Sequence, residues 1–402
     1  MGRWLAAPAL CAAACLAAPE PGMSGDDAGV VAEDAAVGGD AGPVEPVDPG
    51  PVTIRSIGPT GSPIAGGEAA ISPDGLRLIV SPGVAAELVP GVIAEIGAER
   101  VAVRAIGSAE LLLEKEVAEG GPVTFWHAYE SLPAWKNDRG RDLVADGVSE
   151  VAAVAADLTL TGLFSIDGFA TDPDHRVIIR AADGRGHRGI AGTGVTISAD
   201  PSACLRAEID HVTVEGLEFR GCGSSGGHAA VKALSAGDVV VDRVLVHDYR
   251  AGEPVAGLAA TDGGRLVVRN SIVHGGAVGV SASRTSSIVV ESCTFFDLDG
   301  TAVDAIAATV RNTIMIQTDG TFTPADQDHN VADFALPNAS SATAADLFVA
   351  PTASPPDLHL AGGASAALGA GADLRPSFEH DVDGQPRGSV WDIGADQRTP
   401  AR

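Results

Sequence analysis

The stretch HVTVEGLEFRG (211–221) decides the fold, because it returns as DVVVDRVLVHD (238–248), RLVVRNSIVHG (265–275), SIVVESCTFFD (287–297) and ATVRNTIMIQ (308–317). Each copy is two short runs of strand-favouring residues. A polar pair splits them: Glu215-Gly216, Asp242-Arg243, Arg269-Asn270, Glu291-Ser292 and Arg311-Asn312. Val214, Val241, Val268, Val290 and Val310 occupy one equivalent position, at intervals of 27, 27, 22 and 20 residues. Between copies lies a third apolar run: AAVKAL (229–234), PVAGLAA (254–260), AVGVSAS (277–283) and AVDAIA (302–307).

Three short strands per repeat of this length describe a parallel β-helix. Each coil stacks on the last at about 4.8 Å, the strand spacing of a sheet, and draws its core from its neighbours. The five valines then form one buried column. The second member of each polar pair sits in a turn that tolerates left-handed backbone, with Arg243 the exception to small residues there. The column Glu215, Asp242, Arg269, Glu291, Arg311 mixes signs and reads as a solvated face. A sandwich of β-hairpins would need Asn-Gly or Asp-Gly turns, which these pairs do not supply.

Working outward, DHRVIIRAADGRGHRG (174–189), GVTIS (194–198) and SACLRAEI (202–209) read as wider, earlier coils. ESLPAWKNDRGRDL (130–143), with Trp135 and Leu143, reads as a cap over the first coil, whose sheet edge would otherwise be open. The expected fold class is all-β: a right-handed parallel β-helix preceded by a small β domain and a disordered N-terminal tether. The segments are a signal peptide (1–18), an acidic linker (19–50), a small β domain (51–123), the β-helix (124–345) and its C-terminal end (346–400).

Of 402 residues, 53 are Asp or Glu and 26 Lys or Arg, a net charge of -27. That balance argues against nucleic acid and anionic membrane surfaces as partners, since both need clustered cations. The opening MGRWLAAPALCAAACLAA places Arg3 before a short apolar run that ends in small residues, a secretory pattern too short to span a bilayer. Two readings stand. Ala12-Ala13-Ala14-Cys15 resembles a loose lipobox with Cys15 as the lipidated residue, although Ala12 stands where Leu is usual. The other reading is plain cleavage after an alanine. The linker that follows is too polar to bury a core. Either way the protein is expected to be exported, to the outer membrane or cell surface or to the medium, touching membrane only through the anchor. Of the cysteines beyond the signal, Cys204 and Cys222 are the expected disulfide, and Cys293 lies inside a strand pattern.

The opening at 128–189 and the repeats at 211–317 resemble right-handed β-helix proteins of the pectin-lyase-like superfamily. The C-terminal HDVDGQPRGSVWDIGADQ (380–397) resembles the end of the choice-of-anchor Q family, with Asp381, Asp383, Gly384, Arg387, Asp392, Ile393, Gly394 and Ala395 matching its DxDGxxR…DIGA signature. The resemblance covers about residues 125–400 and implies a surface β-helix with no single assigned activity. Superfamily members include polysaccharide lyases, hydrolases and non-catalytic adhesins.

Superposing the repeats exposes two columns: Arg220, His247, His274, Phe296, and Gly221, Asp248, Gly275, Asp297. His247 and His274 become neighbours in successive coils, with Asp248 beside them and Asp297 two coils from it. Lys232 and Asp304 point outward from the adjoining strand. A catalytic reading makes Lys232 or a histidine the base and Arg220 the neutraliser of a uronate carboxylate; Asp248 with Asp297, or Asp297 with Asp299, would be hydrolytic carboxylates or Ca2+ ligands. A plainer reading makes them turn-flanking, solvated residues. Asp381, Asp383 and Asp392, with Asp396 and Arg387, suit Ca2+, or else a turn closed by Asp–Arg pairing that seals the last coil. His175, Arg185, His187 and Arg188 form a basic patch that braces an early loop.

The first functional expectation is a non-catalytic surface protein that presents a flank to a polysaccharide or a cell-surface partner. The alternative is a polysaccharide lyase or glycoside hydrolase. No cofactor is called for, and Ca2+ is the one ion considered.

Overall fold

The computed structural model describes residues 51–199, 204–222, 229–234, 237–249, 255–283, 285–319 and 326–398. The expectations for the signal, Cys15 and the linker lie outside the described residues. The chain winds as a right-handed parallel β-helix with three sheets. The first sheet has nine strands, from Val52–Ile57 and Ser149–Val154 through Val212–Glu215, Asp238–Asp242, Arg265–Arg269 and Ser287–Glu291 to Asp326–Asp328. The second, also nine-stranded, runs from Leu158–Leu160 through Glu218–Arg220, Leu245–His247, Ile272–Gly276 and Thr294–Leu298 to Ala339–Ser341. The third has six strands, among them Val231–Leu234, Ala256–Thr261 and Val303–Asp304.

The register follows the repeat. Val214 pairs with Val241, Val241 with Val268, Val268 with Val290 and Val290 with Val310, all in parallel. All five are fully buried. Each such side chain removed from water contributes about 1.5–3 kcal/mol, but only because the coils above and below supply the walls. Gly216, Arg243, Asn270, Ser292 and Asn312 all adopt positive φ, 45–67°, turning the chain from the first sheet into the second. Cys204 and Cys222 are bonded, with Cα atoms 5.5 Å apart. Cys293 is a buried thiol, pushed up to about 12 by burial.

Val52–Ile57, inside the stretch assigned to the small β domain, already belongs to the first sheet, paired in parallel with Ser149–Val154. The chain then leaves to build a closed antiparallel barrel from Ala65–Ile71, Arg77–Ile79, Ile93–Ile96, Glu99–Ile106, Glu110–Leu113 and Gly121–Trp126. It returns as helix Leu132–Arg139, capped by the Ser131 hydroxyl. This helix and the short helix Leu143–Asp146 that follows close the end of the solenoid, with Leu132, Trp135 and Leu143 in the main core and Trp135 against Phe169. Arg139 holds buried Glu150 with two 2.9 Å hydrogen bonds.

The C-terminal residues differ from a terminal coil. Helix Ala344–Leu347 leads into an antiparallel hairpin, Phe348–Ala350 with Asp357–Leu360, and then into irregular turns. Leu347, Phe348, Leu358, Leu360, Val382 and Ile393 pack on Leu245, Ile272, Ile314, Ile316 and Val331, which face outward from the second sheet. This segment therefore roofs a flank instead of sealing the last coil. The solvated face expected for the mixed-sign column is corrected at its centre. Arg269 and Glu291 are buried, Arg269 donates to the Ser377 carbonyl at 2.8 Å, and its guanidinium lies 5.7 Å from the Phe378 ring.

Candidate functional site

A cleft of about 750 Å³ opens where the second sheet emerges from under the hairpin loop 351–356. Arg220, His247, His274 and Phe296 line it, each from the same strand of a successive coil. The sheet register pairs Arg220 with His247 and His274 with Phe296. The two imidazoles stack with centroids 5.4 Å apart and planes 10° from parallel. Asp248 and Asp297 follow at left-handed corners, φ 54° and 52°.

Hydrogen bonding organises the floor. His247 Nε2 lies 2.9 Å from Glu218 Oε1, and its Nδ1 lies 3.2 Å from Asp248 Oδ2. Arg220 Nε donates to the same Asp248 oxygen at 3.2 Å. Gly192 N–H donates to Glu218 Oε2 at 2.7 Å. Burial alone would raise the Glu218 carboxyl, but the bonds from His247 and Gly192 outweigh it and hold the group below its ordinary value. Burial, with the His247 ring beside it, pushes His274 down to about 4, so it is a neutral imidazole at pH 7. At the rim, Asp157 accepts the Thr196 N–H at 2.8 Å. Asp297 is exposed and has no partner among the described residues. The cleft thus offers a lone pair, a guanidinium–carboxylate pair and a single unengaged carboxylate, all suited to hydroxyl and amino groups.

The fold brings together Arg220, His247, Asp248, His274 and Asp297. It leaves out Lys232 and Asp304, which stand on the third sheet, where Lys232 pairs in register with Arg206 and Ala259. The cleft is lined without either of them. Glu218 was not anticipated. Its signal was available: it is the one charge in an outward column that otherwise reads Leu245, Ile272, Thr294, Ile314. Asp157 and the loop 351–356 carry no such signal, because they reach the cleft from outside the repeat.

The C-terminal carboxylates divide. Asp381 accepts backbone N–H groups of Asp383, Gln385 and Gln397, and Asp392 those of Gly369 and Arg398. Both are turn-closing groups engaged by the backbone, not a cage of free oxygens. Among the described residues, Arg387 makes no ion pair with an aspartate side chain. It donates to Asn270 Oδ1 at 2.9 Å and to the carbonyls of Gly394 and Ala395 at 3.0 and 2.8 Å, which pins the motif to the β-helix. Asp383 instead meets His359. In the basic patch, His175 closes a turn on Asp172 and buried His187 bridges Gly189 N–H and the Arg243 carbonyl.

Fold and cleft define a parallel β-helix protein with a polar cleft on one flank, half roofed by its own C-terminal segment. No protein-family model matches the chain, and none of the curated protein sequences does. Among solved structures, the chain is similar to the catalytic domain of GH87 alpha-1,3-glucanase in complex with nigerose, at 13% identity and a TM-score of 0.23, over 67% of this chain. The match spans 62% of that chain.

Proposed function

We propose that the cleft binds a neutral or amino-substituted glycan without cleaving it, and that the protein displays this flank outside the cell. One observation carries the reading. Of the cleft carboxylates, Glu218, Asp248 and Asp157 are each tied into hydrogen bonds, which leaves Asp297 alone unengaged. Glycoside hydrolysis takes a pair of carboxyl groups on either side of the scissile bond, and Asp248, at the corner corresponding to Asp297, already has its Oδ2 held by Arg220 and His247. The lining also repeats every coil, at about 4.8 Å, which suits an extended chain laid along the solenoid. A protein of net charge -27 repels polyuronates.

Export rests on the secretory pattern of residues 1–18 and is supported by the Cys204–Cys222 disulfide, a bond characteristic of oxidising compartments. Lipidation of Cys15 would hold the protein at the surface. Loss of membrane fractionation in Cys15→Ser tests it.

A hydrolase is the second reading. Asp248 and Asp297 occupy corresponding corners two coils apart, roughly 9.6 Å by strand spacing, near the upper limit for an inverting pair. A glycan array run beside a hydrolysis screen on neutral and uronic polymers decides between them. Binding without turnover, weakened roughly tenfold in Asp297→Asn, is expected. Chain cleavage abolished by that same substitution would overturn the binding reading.

A further inference from the structure

Away from the floor of the cleft, the hairpin and the C-terminal turns bring His359, Asp383 and Asp396 together, one nitrogen or oxygen of each lying within 4.8 Å of the others. Three features beyond mere proximity bear on this group. First, His359 Nδ1 lies 2.6 Å from Asp357 Oδ1. A carboxylate behind one ring nitrogen fixes the ring's orientation and aims the other, here Nε2, at Asp383, where a bound cation would displace its proton; metal-ligating histidines are commonly held this way. Second, Asp383 Oδ1 is a buried oxygen that nothing among the described residues hydrogen-bonds. Its sister oxygen Oδ2 lies 3.0 Å from His359 Nε2. An orphaned buried acceptor is costly and calls for a positive partner.

Third, a small space is kept open in front of both atoms. Gly189 has φ +68°, and a Cβ there would stand 2.9 Å from His359 Nε2 and 3.6 Å from Asp383 Oδ1. The imidazole nitrogen and the orphaned oxygen therefore face the same opening. Asp396 is buried beside them and its Oδ2 accepts the Leu360 N–H at 2.7 Å.

We propose that His359, Asp383 and Asp396 bind a divalent cation of the Zn2+ type in the opening before Gly189. One imidazole with two carboxylates suits a borderline ion with low coordination number, whereas Ca2+ takes about six to eight oxygens. The ion would join the hairpin to the C-terminal turns beside the loop of Gly189. Because the hairpin carries residues 351–356 over the cleft, the ion acts as a clamp on the roof. This does not depend on what the cleft binds.

The test uses the full chain, stripped with a chelator and titrated calorimetrically with Zn2+ and, separately, with Ca2+. One tight Zn2+ equivalent and a raised Tm are expected. Asp383→Asn weakens that binding roughly tenfold or more while circular dichroism stays native. Asp396→Asn, which keeps the side chain's shape and removes the other carboxylate, gives the same loss and serves if Asp383→Asn does not fold. The chain has 10 histidines, so Zn2+ binding unchanged in these variants would place the ion elsewhere and overturn the proposal. No Zn2+ binding, or tighter Ca2+ than Zn2+ binding, would overturn it as well.

Discussion

His247 and His274, 27 residues apart in sequence, stack ring on ring with centroids 5.4 Å apart. The pairing exists because equivalent residues of successive coils lie one strand spacing apart. It also buries both rings, and burial has a pH consequence.

His274 titrates near 4 in the folded chain against 6.5 for an exposed histidine, because burial and then the neighbouring His247 disfavour its charge. Above pH 6.5 neither state holds the proton. As pH falls from 6.5 to 4 the unfolded chain takes it up and the folded chain does not, so stability falls across that window. Full expression of the shift amounts to roughly 3 kcal/mol. Urea unfolding at pH 7 and pH 4.5 should show a smaller difference for His274→Gln than for the unaltered protein. An equal difference would remove His274 from the account.

Arg387→Ala should cost about 3 kcal/mol or more. The substitution strands Asn270 Oδ1 and two backbone carbonyls that the guanidinium now satisfies, and removes a cation 5.3 Å from the Trp391 ring. Because Arg387 pins the roof, limited proteolysis should cut within 344–398 before it touches the coils. Uniform resistance would mean that the apolar contact with the second sheet holds the roof unaided.

Tyr249 is buried, donates to the Val278 carbonyl at 3.0 Å and lays its ring where a Cβ on Gly276 would stand. Gly276→Ala should destabilise by about 3 kcal/mol through overpacking. Combining it with Tyr249→Leu should recover part of the loss, giving a coupling measurable in a double-mutant cycle.

The Cys204–Cys222 bond closes a loop 18 residues apart in sequence. Replacing both with serine should lower unfolding free energy by about 3 kcal/mol. Denaturation with and without reductant measures the same quantity on the native chain, and agreement between the two is expected.

Much of the candidate site is legible in the repeats alone. Once they are aligned, Arg220, His247, His274 and Phe296 have to share a flank, since coil stacking turns equal repeat positions into spatial neighbours. The same alignment leaves the relation between sheets open, and Lys232, read as pointing outward from the adjoining strand, stands on the third sheet, outside the cleft. Glu218 is visible as a lone charge in an apolar column, but its meaning depends on that column being covered. The apolar outward residues Leu245, Ile272 and Ile314 are the sign that something lies on them.

The order of amino acids is enough to specify the solenoid. Strand periodicity, the valine column and the left-handed corners are local or nearest-coil properties, and stacking leaves them one solution. Three other features arise only when the whole chain has folded: the C-terminal residues turn back as a roof, Arg387 grips Asn270, and His359 meets Asp383 before Gly189. Those contacts join residues tens to more than a hundred positions apart with no repeat to carry the register. They follow from which faces find complementary surfaces once the coils exist.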